Sequence, residues 1–175
     1  MTQKYETGTH IRYSSTGICL IDRIEDVPYP GAEPPVRRCY ILKPLRNACM
    51  EISVPLDNEP LCARMHPLRT KEEIDSLLAA AVQEAEMPWE DDRKARSAAF
   101  RQILAGGDAA ALLRMIRCIL RQRGMLSASG RHLSSTDDNA CRDAERMLDE
   151  EFAFSLGVTE QEAGRYICNA LKLSG

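Results

Sequence analysis

Aromatic residues and long apolar runs are scarce in this 175-residue chain. Phenylalanine, tyrosine and tryptophan together make up 5% of the sequence, and Trp89 is the single tryptophan. No apolar run approaches the ~20 residues that a membrane-spanning helix needs, and the first residues lack the apolar core of a secretory signal. We therefore expect a cytoplasmic protein that makes no use of a membrane.

Close cysteine pairs are also missing. The seven cysteines lie at positions 19, 39, 49, 62, 118, 141 and 168, with no C-x-x-C motif and no tight Cys/His cluster. A zinc site usually contains at least one close pair, because a short turn presents two thiolates together. We expect reduced, mostly buried thiols, no metal and no cofactor.

Motifs of the common catalytic sites are absent too. The glycine pair at 106–107 follows no predicted strand and precedes no Gly-Lys-Ser, so it is typical of a helix end rather than of a phosphate-binding loop. No Ser/His/Asp order indicates an activated nucleophile. The sequence predicts neither an enzyme nor a small-molecule substrate.

Short apolar runs predict β structure before residue 64. Hydrophobic residues make up 44% and charged residues 28% of the sequence, a balance typical of a globular protein. Turn-forming clusters separate runs at 11–13, 18–24, 39–42 and 50–55, and Met50, Ile52 and Val54 alternate in the last one. Prolines and a glycine at 28–35 predict a long hairpin loop. Four or five such strands bury one face by forming a small bent sheet or barrel.

From Thr70 onward, apolar residues recur at helical steps. Thr70 with Glu73, and Thr159 with Glu162, have capping-box spacing, in which a hydroxyl and a carboxylate satisfy free backbone donors. Asp108 is suited to cap a third helix. Residues that stop helices, and a serine-rich loop, separate the elements: Pro88, Gly106, Gly107, Gly124, residues 126–136 and Gly157. The sequence predicts an α+β protein with two domains, a β-rich domain over 1–66 and an all-α bundle of about five helices over 67–175.

The net charge of −3 hides a basic segment. Positions 93–131 contain nine basic residues and one acidic residue, whereas positions 67–92 contain two basic and eight acidic residues. Arg114, Arg117 and Arg121 recur at three- and four-residue steps, so they share one face of a predicted helix, opposite its apolar side. A concentrated positive field attracts a polyanion, and an aromatic ring such as that of Trp89 can wedge between bases. The pattern favours nucleic acid as a partner.

Less specific explanations exist for both features. A lone tryptophan near a helix start is often a core or interdomain anchor, and an arginine face is often only a solvated surface. The arginines can also pair with the acidic segments at 67–92 or 132–151, which would cancel the field internally. Near Trp89, Asp91 or Asp92 is suited to cap the following helix. The sequence leaves these alternatives open.

The order of motifs resembles that of a known family. Six segments carry the resemblance: residues 8–19 (GTHIRYSSTGIC), 40–42 (YIL), 54–58 (VPLDN), 87–89 (MPW), 104–108 (LAGGD) and 150–157 (EEFAFSLG). They are similar to the G-D-x-V-x-Y-x3-G-V opening, the V-P-x-x-N signature and the helical motifs of CarD-like transcription regulators. The N-terminal module of that family is shared with the transcription-repair coupling factor. The resemblance covers about residues 5 to 172.

This resemblance implies both a fold and a function. It implies a Tudor-like N-terminal domain that docks on the RNA polymerase β subunit. It also implies a helical domain on promoter DNA at the upstream edge of the melted bubble, where Trp89 matches a tryptophan placed in the minor groove. Together with the charge pattern, it indicates these basic residues as DNA-binding: Arg93, Lys94, Arg96, Arg114, Arg117 and Arg121. An aromatic wedge would slow bubble collapse, since about 1.4 kcal/mol of differential binding shifts a population tenfold.

Candidates for the polymerase contact lie in the β domain. They are Arg37, Arg38, Met50, Glu51 and Ser53. Some family members carry an arginine where this chain has Ser53. We expect a monomer whose affinity for free DNA is weak, nonspecific and salt-dependent, with specificity that comes from tethering to polymerase. Neither the responding promoters nor the choice between activation and repression follows from the sequence.

Two other functions are compatible with the sequence. One is a protein-interaction adaptor that uses the β domain and has no direct DNA role. The other is a cysteine-based redox or metal protein, which predicts bound metal or a thiol of lowered pKa.

Overall fold

The chain folds into two compact units. A computed structural model describes residues 4–29, 31, 33, 35–47 and 49–171. The units are Met1–Leu68 and Arg69–Gly175, and each has its own hydrophobic core. Within the described residues, the first unit contains a five-stranded antiparallel sheet and the second contains five helices. The predicted α+β class, with a β-rich part before a helical part, is confirmed.

Five strands and one short helix form the first unit. In chain order they are β1 (His10–Tyr13), β2 (Gly17–Pro28), β3 (Val36–Pro44), β4 (Ile52–Pro55), helix α1 (Glu59–Cys62) and β5 (Met65–Pro67). The strand order in the sheet is β4-β3-β2-β1-β5. Because β4 and β5 end this order, they are the edge strands of the described sheet.

Two local features shape this sheet. The register of β2 against β3 shifts between Ile21 and Arg23, and such a bulge increases the local twist and bends the strand. At the start of β2, Gly17 has a φ of 92°, a backbone conformation that residues other than glycine rarely adopt. The sheet therefore bends around one core. In this core the Tyr5 hydroxyl donates a hydrogen bond to the Met65 carbonyl over 2.8 Å.

The strands differ in extent from the sequence prediction. Strand β2 continues to Pro28, which pairs with Val36, so the hairpin loop is shorter than predicted; its residues 30, 32 and 34 lie outside the described residues. The prediction that Met50 belongs to the last strand is wrong. Its amide donates to the Asn47 carbonyl over 3.0 Å, and its side chain is exposed, because a turn occupies this part of the β3–β4 connection.

Five helices form the second unit. They are α2 (Lys71–Gln83), α3 (Arg93–Gly106), α4 (Ala109–Ala128), α5 (Ser135–Leu156) and α6 (Glu160–Ala170). Both predicted capping boxes are present, at the starts of α2 and α6, and Asp108 caps α4 as predicted. Helices α3 and α5 end at Gly107 and Gly157, whose φ values are 64° and 67°. The core between the helices contains large buried side chains such as Ile74, Leu112 and Phe152.

The predicted helix end at Gly124 is wrong. Helix α4 continues to Ala128, and the left-handed glycine that follows it is Gly130, with a φ of 69°. The Arg131 amide donates to the Leu126 carbonyl and the Gly130 amide to the Ser127 carbonyl, which is the Schellman pattern. A glycine inside a helix costs only about 1 kcal/mol, so Gly124 alone does not stop α4. Among the described residues, no helix combines the length and the apolar character that crossing a bilayer requires.

Candidate nucleic-acid interface

Trp89 is held against the helical core. It lies in the connection between α2 and α3 and is partly buried. The guanidinium carbon of Arg96 lies 4.3 Å from the indole ring centroid, and the Phe100 ring meets the indole edge-to-face at 6.3 Å. A cation over an indole face is attracted by the negative face of the ring. One face of Trp89 is therefore covered from inside the protein, and the ring is fixed rather than free.

Arg96 is an interior residue. Its side chain is 8% exposed and that of Asp137 is 4% exposed, and two hydrogen bonds of 3.0 and 2.9 Å join the guanidinium to the carboxylate. Burial by itself raises the pKa of Asp137, but hydrogen bonds from Arg96 and Ser134 outweigh it, so the pKa lies below its usual value. Arg96 also donates to the Glu90 carbonyl over 2.7 Å. The guanidinium thus supports Trp89 and the α2–α3 connection instead of offering a surface charge to DNA.

Arg93 and Lys94 are exposed in the first turn of α3. In the described part of the chain, neither has a carboxylate within ion-pair distance; Arg93 reaches only the Thr136 hydroxyl, at 3.4 Å. Asp92 caps α3 by accepting from the Ala95 amide over 2.7 Å, as one of the two sequence alternatives predicted. Trp89, Arg93 and Lys94 thus lie in one short stretch of the chain, with the exposed acidic residues 90–92 between them, and Arg93 also acts electrostatically on Asp137. We call these three residues the tryptophan patch.

The arginines of α4 share one face, and acidic residues of the α2–α3 connection cover it. Arg114 pairs with Glu84 at 3.2 Å, and both Arg117 and Arg121 pair with Glu86, the former at 3.7 Å. Arg117 also donates to the Ala81 carbonyl. This geometry agrees with the alternative in which the arginines pair internally with the acidic stretch at 67–92. We call residues 84–86 the acidic segment and Arg114, Arg117 and Arg121 the arginine face.

A second group of basic residues lies where α4 meets α5. A cleft of ≈ 480 Å³ is lined by Arg123, Arg131, His132 and Asp138, among others. Arg123 pairs with Asp138 at 2.8 Å, whereas Arg131 is exposed. Sequence reasoning counted Arg123 and Arg131 in the basic segment but did not select them. Their nearness to the start of α5 depends on how α4 and α5 pack, which no local pattern reveals.

The candidates for polymerase contact lie in and beside β3 and β4. Arg37 pairs with Asp57 at 3.7 Å, and the more exposed Arg38 pairs with Asp26 at 3.6 Å. Glu51 binds the Arg23 guanidinium through two hydrogen bonds of 3.0 Å, which keep the pKa of this carboxyl below its usual value. Met50 is exposed before β4.

Within β4, Ser53 pairs with Ile41 of β3 and is partly buried. The structure thus brings Arg37 and Arg38 onto β3, Ser53 onto the edge strand, and Met50 and Glu51 into the turn between them. The five candidates lie in one β3–β4 hairpin.

The described residues give little support for the alternative of a cysteine-based redox or metal protein. All seven cysteines lie within them and are free, and only Cys49 is exposed. Burial raises the pKa of the Cys39, Cys118 and Cys168 thiols, and burial with the nearby Glu145 raises that of Cys141 to about 12. A raised pKa disfavours the reactive thiolate. Among these residues no group of three or more His, Cys, Asp or Glu side chains is arranged to hold a metal ion.

No protein-family model matches the chain, and no curated protein matches it either.

Proposed function

We propose that this protein is a transcription regulator that binds the RNA polymerase β subunit and stabilises the promoter open complex. In this proposal the first unit docks on polymerase and the tryptophan patch contacts DNA at the upstream edge of the bubble. The protein acts in the cytoplasm, as a monomer and without catalysis. The resemblance of its motifs to CarD-like regulators supplies the two partners, and the observed α+β layout agrees with that resemblance.

The observation that carries the proposal is the tryptophan patch. A rigid aromatic ring lies four and five residues before two exposed cations, and neither cation forms an ion pair with a carboxylate of the described residues. Phosphates are bound by such cations regardless of sequence, and a fixed ring can hold a base step apart without losing side-chain entropy on binding. The two groups together fit a site where duplex and melted DNA meet.

Strand β4 is the proposed site of the polymerase contact. It is an edge strand of the described sheet, and an edge strand offers backbone donors and acceptors that a strand of a partner protein can bind. The exposed side chains of Met50 and Arg38 flank it. With Ser53 in place of an arginine, this chain relies on backbone pairing and on these neighbours.

A second candidate function is supported by the arginine face. Because Glu84 and Glu86 pair with it, a large part of the positive field that favoured DNA is cancelled inside the protein. A protein-interaction adaptor that uses only the β domain needs no open basic surface. Such an adaptor binds polymerase equally well with or without promoter DNA.

The lifetime of the open complex distinguishes these functions. With the cognate polymerase and a promoter fragment, we expect the wild type to lengthen the lifetime. Trp89→Ala and Arg93→Ala/Lys94→Ala should each shorten it by roughly tenfold relative to wild type, since about 1.4 kcal/mol is a factor of ten. The matched control is Arg142→Ala/Arg146→Ala, which removes two exposed arginines from α5 and should behave as wild type.

Each variant is first tested for polymerase binding and for an unchanged far-ultraviolet circular dichroism spectrum. If the wild type binds polymerase but leaves the lifetime of the open complex unchanged, the protein is an adaptor. Failure of the wild type to bind polymerase contradicts both functions.

A further inference from the structure

We propose that the acidic segment is an internal substitute for DNA phosphates, which masks the arginine face until DNA displaces it. The inference rests on the proposed function, because it concerns how the same helical unit engages DNA. It assigns the arginine face to bound DNA, although the face is covered in the free protein.

The acidic segment contacts the arginine face in the way that a chain of DNA phosphates would contact it. Two carboxylates two residues apart meet three arginines that lie along one face of α4: Glu84 meets Arg114, and Glu86 meets both Arg117 and Arg121. Guanidinium groups bind phosphate oxygens in the same way as carboxylate oxygens. The face is therefore already arranged for a row of anions.

Exposure indicates which of these contacts can exchange. The side chains of Arg114 and Arg121 are 43% and 56% exposed, and those of Glu84 and Glu86 are 41% and 42% exposed. Ion pairs this exposed contribute only about 0–1 kcal/mol each, so a phosphate can replace the carboxylate at little cost. Arg117 is 14% exposed and is also bound to the Ala81 carbonyl, so it keeps its place during the exchange.

The position of the acidic segment makes its release feasible. Glu84 is the C-terminal cap of α2 and has left the helix, with a ψ of 147°. No residue of the segment is buried: Glu84, Ala85 and Glu86 are all exposed. The segment can thus leave α4 without opening the core. It also leads directly into residues 87–89. Release of the acidic segment from α4 and contact of Trp89 with DNA therefore involve the same α2–α3 connection.

Binding of a fluorescent 30-base-pair duplex, measured by anisotropy over a range of salt concentrations, tests the mask in the full chain. Glu84→Gln/Glu86→Gln should bind roughly tenfold more tightly than wild type at low salt. Its slope of log affinity against log salt should be steeper by about two, because each added phosphate contact contributes about 0.9. The gain should disappear when Arg114→Gln/Arg121→Gln is added to the same variant.

The control for the change in net charge is Asp26→Asn/Asp143→Asn. It removes two carboxylates and frees two exposed arginines, Arg38 and Arg146, neither of which belongs to the arginine face. We expect this control to keep the wild-type salt slope. If Glu84→Gln/Glu86→Gln binds no better than the control, or if its gain survives Arg114→Gln/Arg121→Gln, the mask is overturned.

The two proposals fail in different ways. If wild type binds the duplex and Arg93→Ala/Lys94→Ala weakens that binding, while Glu84→Gln/Glu86→Gln changes nothing, only the mask is overturned. If no variant binds the duplex, the mask and the DNA role of the proposed function are overturned together. Melting temperatures of all variants, followed by circular dichroism, confirm that each compared protein is folded.

Discussion

Arg93 and Arg96 lie three residues apart at the start of α3, yet they occupy opposite environments. The guanidinium of Arg93 is exposed and reaches only a threonine hydroxyl, whereas that of Arg96 is enclosed by Asp137 and the Trp89 ring. A buried guanidinium needs a paired carboxylate, because the cost of removing it from water is otherwise too high. Identical side chains thus serve solvent-facing and structural roles in one helical turn.

The Arg96–Asp137 pair should stabilise the folded state only while both partners are present. We expect Arg96→Ala to lower the free energy of unfolding by about 3–5 kcal/mol, because it leaves a buried carboxylate without its partner. The measurement is urea denaturation followed by the fluorescence of Trp89, the single tryptophan. Arg93→Ala removes the same side chain at an exposed site and should change the free energy by less than about 0.5 kcal/mol. Equal losses in the two variants would contradict the buried role of Arg96.

Asp149 makes stability depend on pH near neutrality. Burial, with Glu145 on α5 and Glu160 on α6 adding like charge, raises the pKa of Asp149 from 3.8 to about 7. The Cys168 thiol of α6 lies within the field of the same carboxylate, and no cation is among the groups that shift it. Because the folded state holds this proton more tightly than the unfolded state, stability falls as the pH rises from about 4 to about 7.

We expect Asp149→Asn to remove this part of the pH dependence. At pH 8 the variant should be more stable than wild type by roughly 2 to 4 kcal/mol, since Asn resembles the protonated acid and each pKa unit is about 1.4 kcal/mol. Urea denaturation at pH 5 and at pH 8 measures the effect. Asp143→Asn, at an exposed position of the same helix, serves as the control and should follow the wild-type profile. A wild-type protein equally stable at both pH values would refute the expectation.

At the scale of elements, helix boundaries in the second unit are set by caps rather than by glycine as such. Asp92, Asp108 and Ser134 each accept a backbone hydrogen bond at a helix start. Glycine ends α3 and α5 where its φ is positive, but Gly124 lies inside α4 with ordinary helical backbone. The same residue type therefore has opposite energetic effects at the two kinds of position.

Two glycine substitutions should change stability in opposite directions. Gly157→Ala places a side chain in the left-handed region and should destabilise the protein by about 1–2 kcal/mol. Gly124→Ala should stabilise it by about 0.5–1 kcal/mol, because alanine loses less backbone entropy inside a helix. A Cβ at either site meets no heavy atom within 4 Å, so packing does not obscure the comparison. Thermal unfolding of both variants checks the signs, and two shifts of the same sign would show that backbone conformation does not govern them.

At the scale of the whole chain, charge is distributed so that much of it is satisfied internally. The net charge of −3 combines an acidic stretch before Trp89 with a basic stretch after it, and the two stretches meet on α4. Arg93 and Lys94, at the start of α3, are among the exposed basic residues that form no ion pair within the described part of the chain. We infer that tethering to polymerase raises the local concentration of this small patch over DNA, so that weak contacts suffice.

Local chemistry allowed several elements to be predicted from the sequence. The two capping boxes, the Asp108 cap and the helix ends at Gly107 and Gly157 depend on residues within one turn of each other, and all are confirmed. The prediction for Met50 was wrong because its position depends on the hydrogen bonds of a turn, and the prediction for Gly124 was wrong because the length of α4 depends on the hydrogen bonds at its end. At both places the local sequence is equally compatible with another pattern of hydrogen bonds.

The sequence by itself determined the class of fold, the change from β to helical structure, and the spacing that puts Arg114, Arg117 and Arg121 on one face. Only the tertiary structure decided which charges are open. The pairing of Glu84 and Glu86 with α4, and of Asp137 with Arg96, joins residues 30 to 41 positions apart. Periodicity fixes a residue's face on its own helix, but the partner of that face depends on how helices pack, and this partner determines whether an arginine is free to bind phosphate.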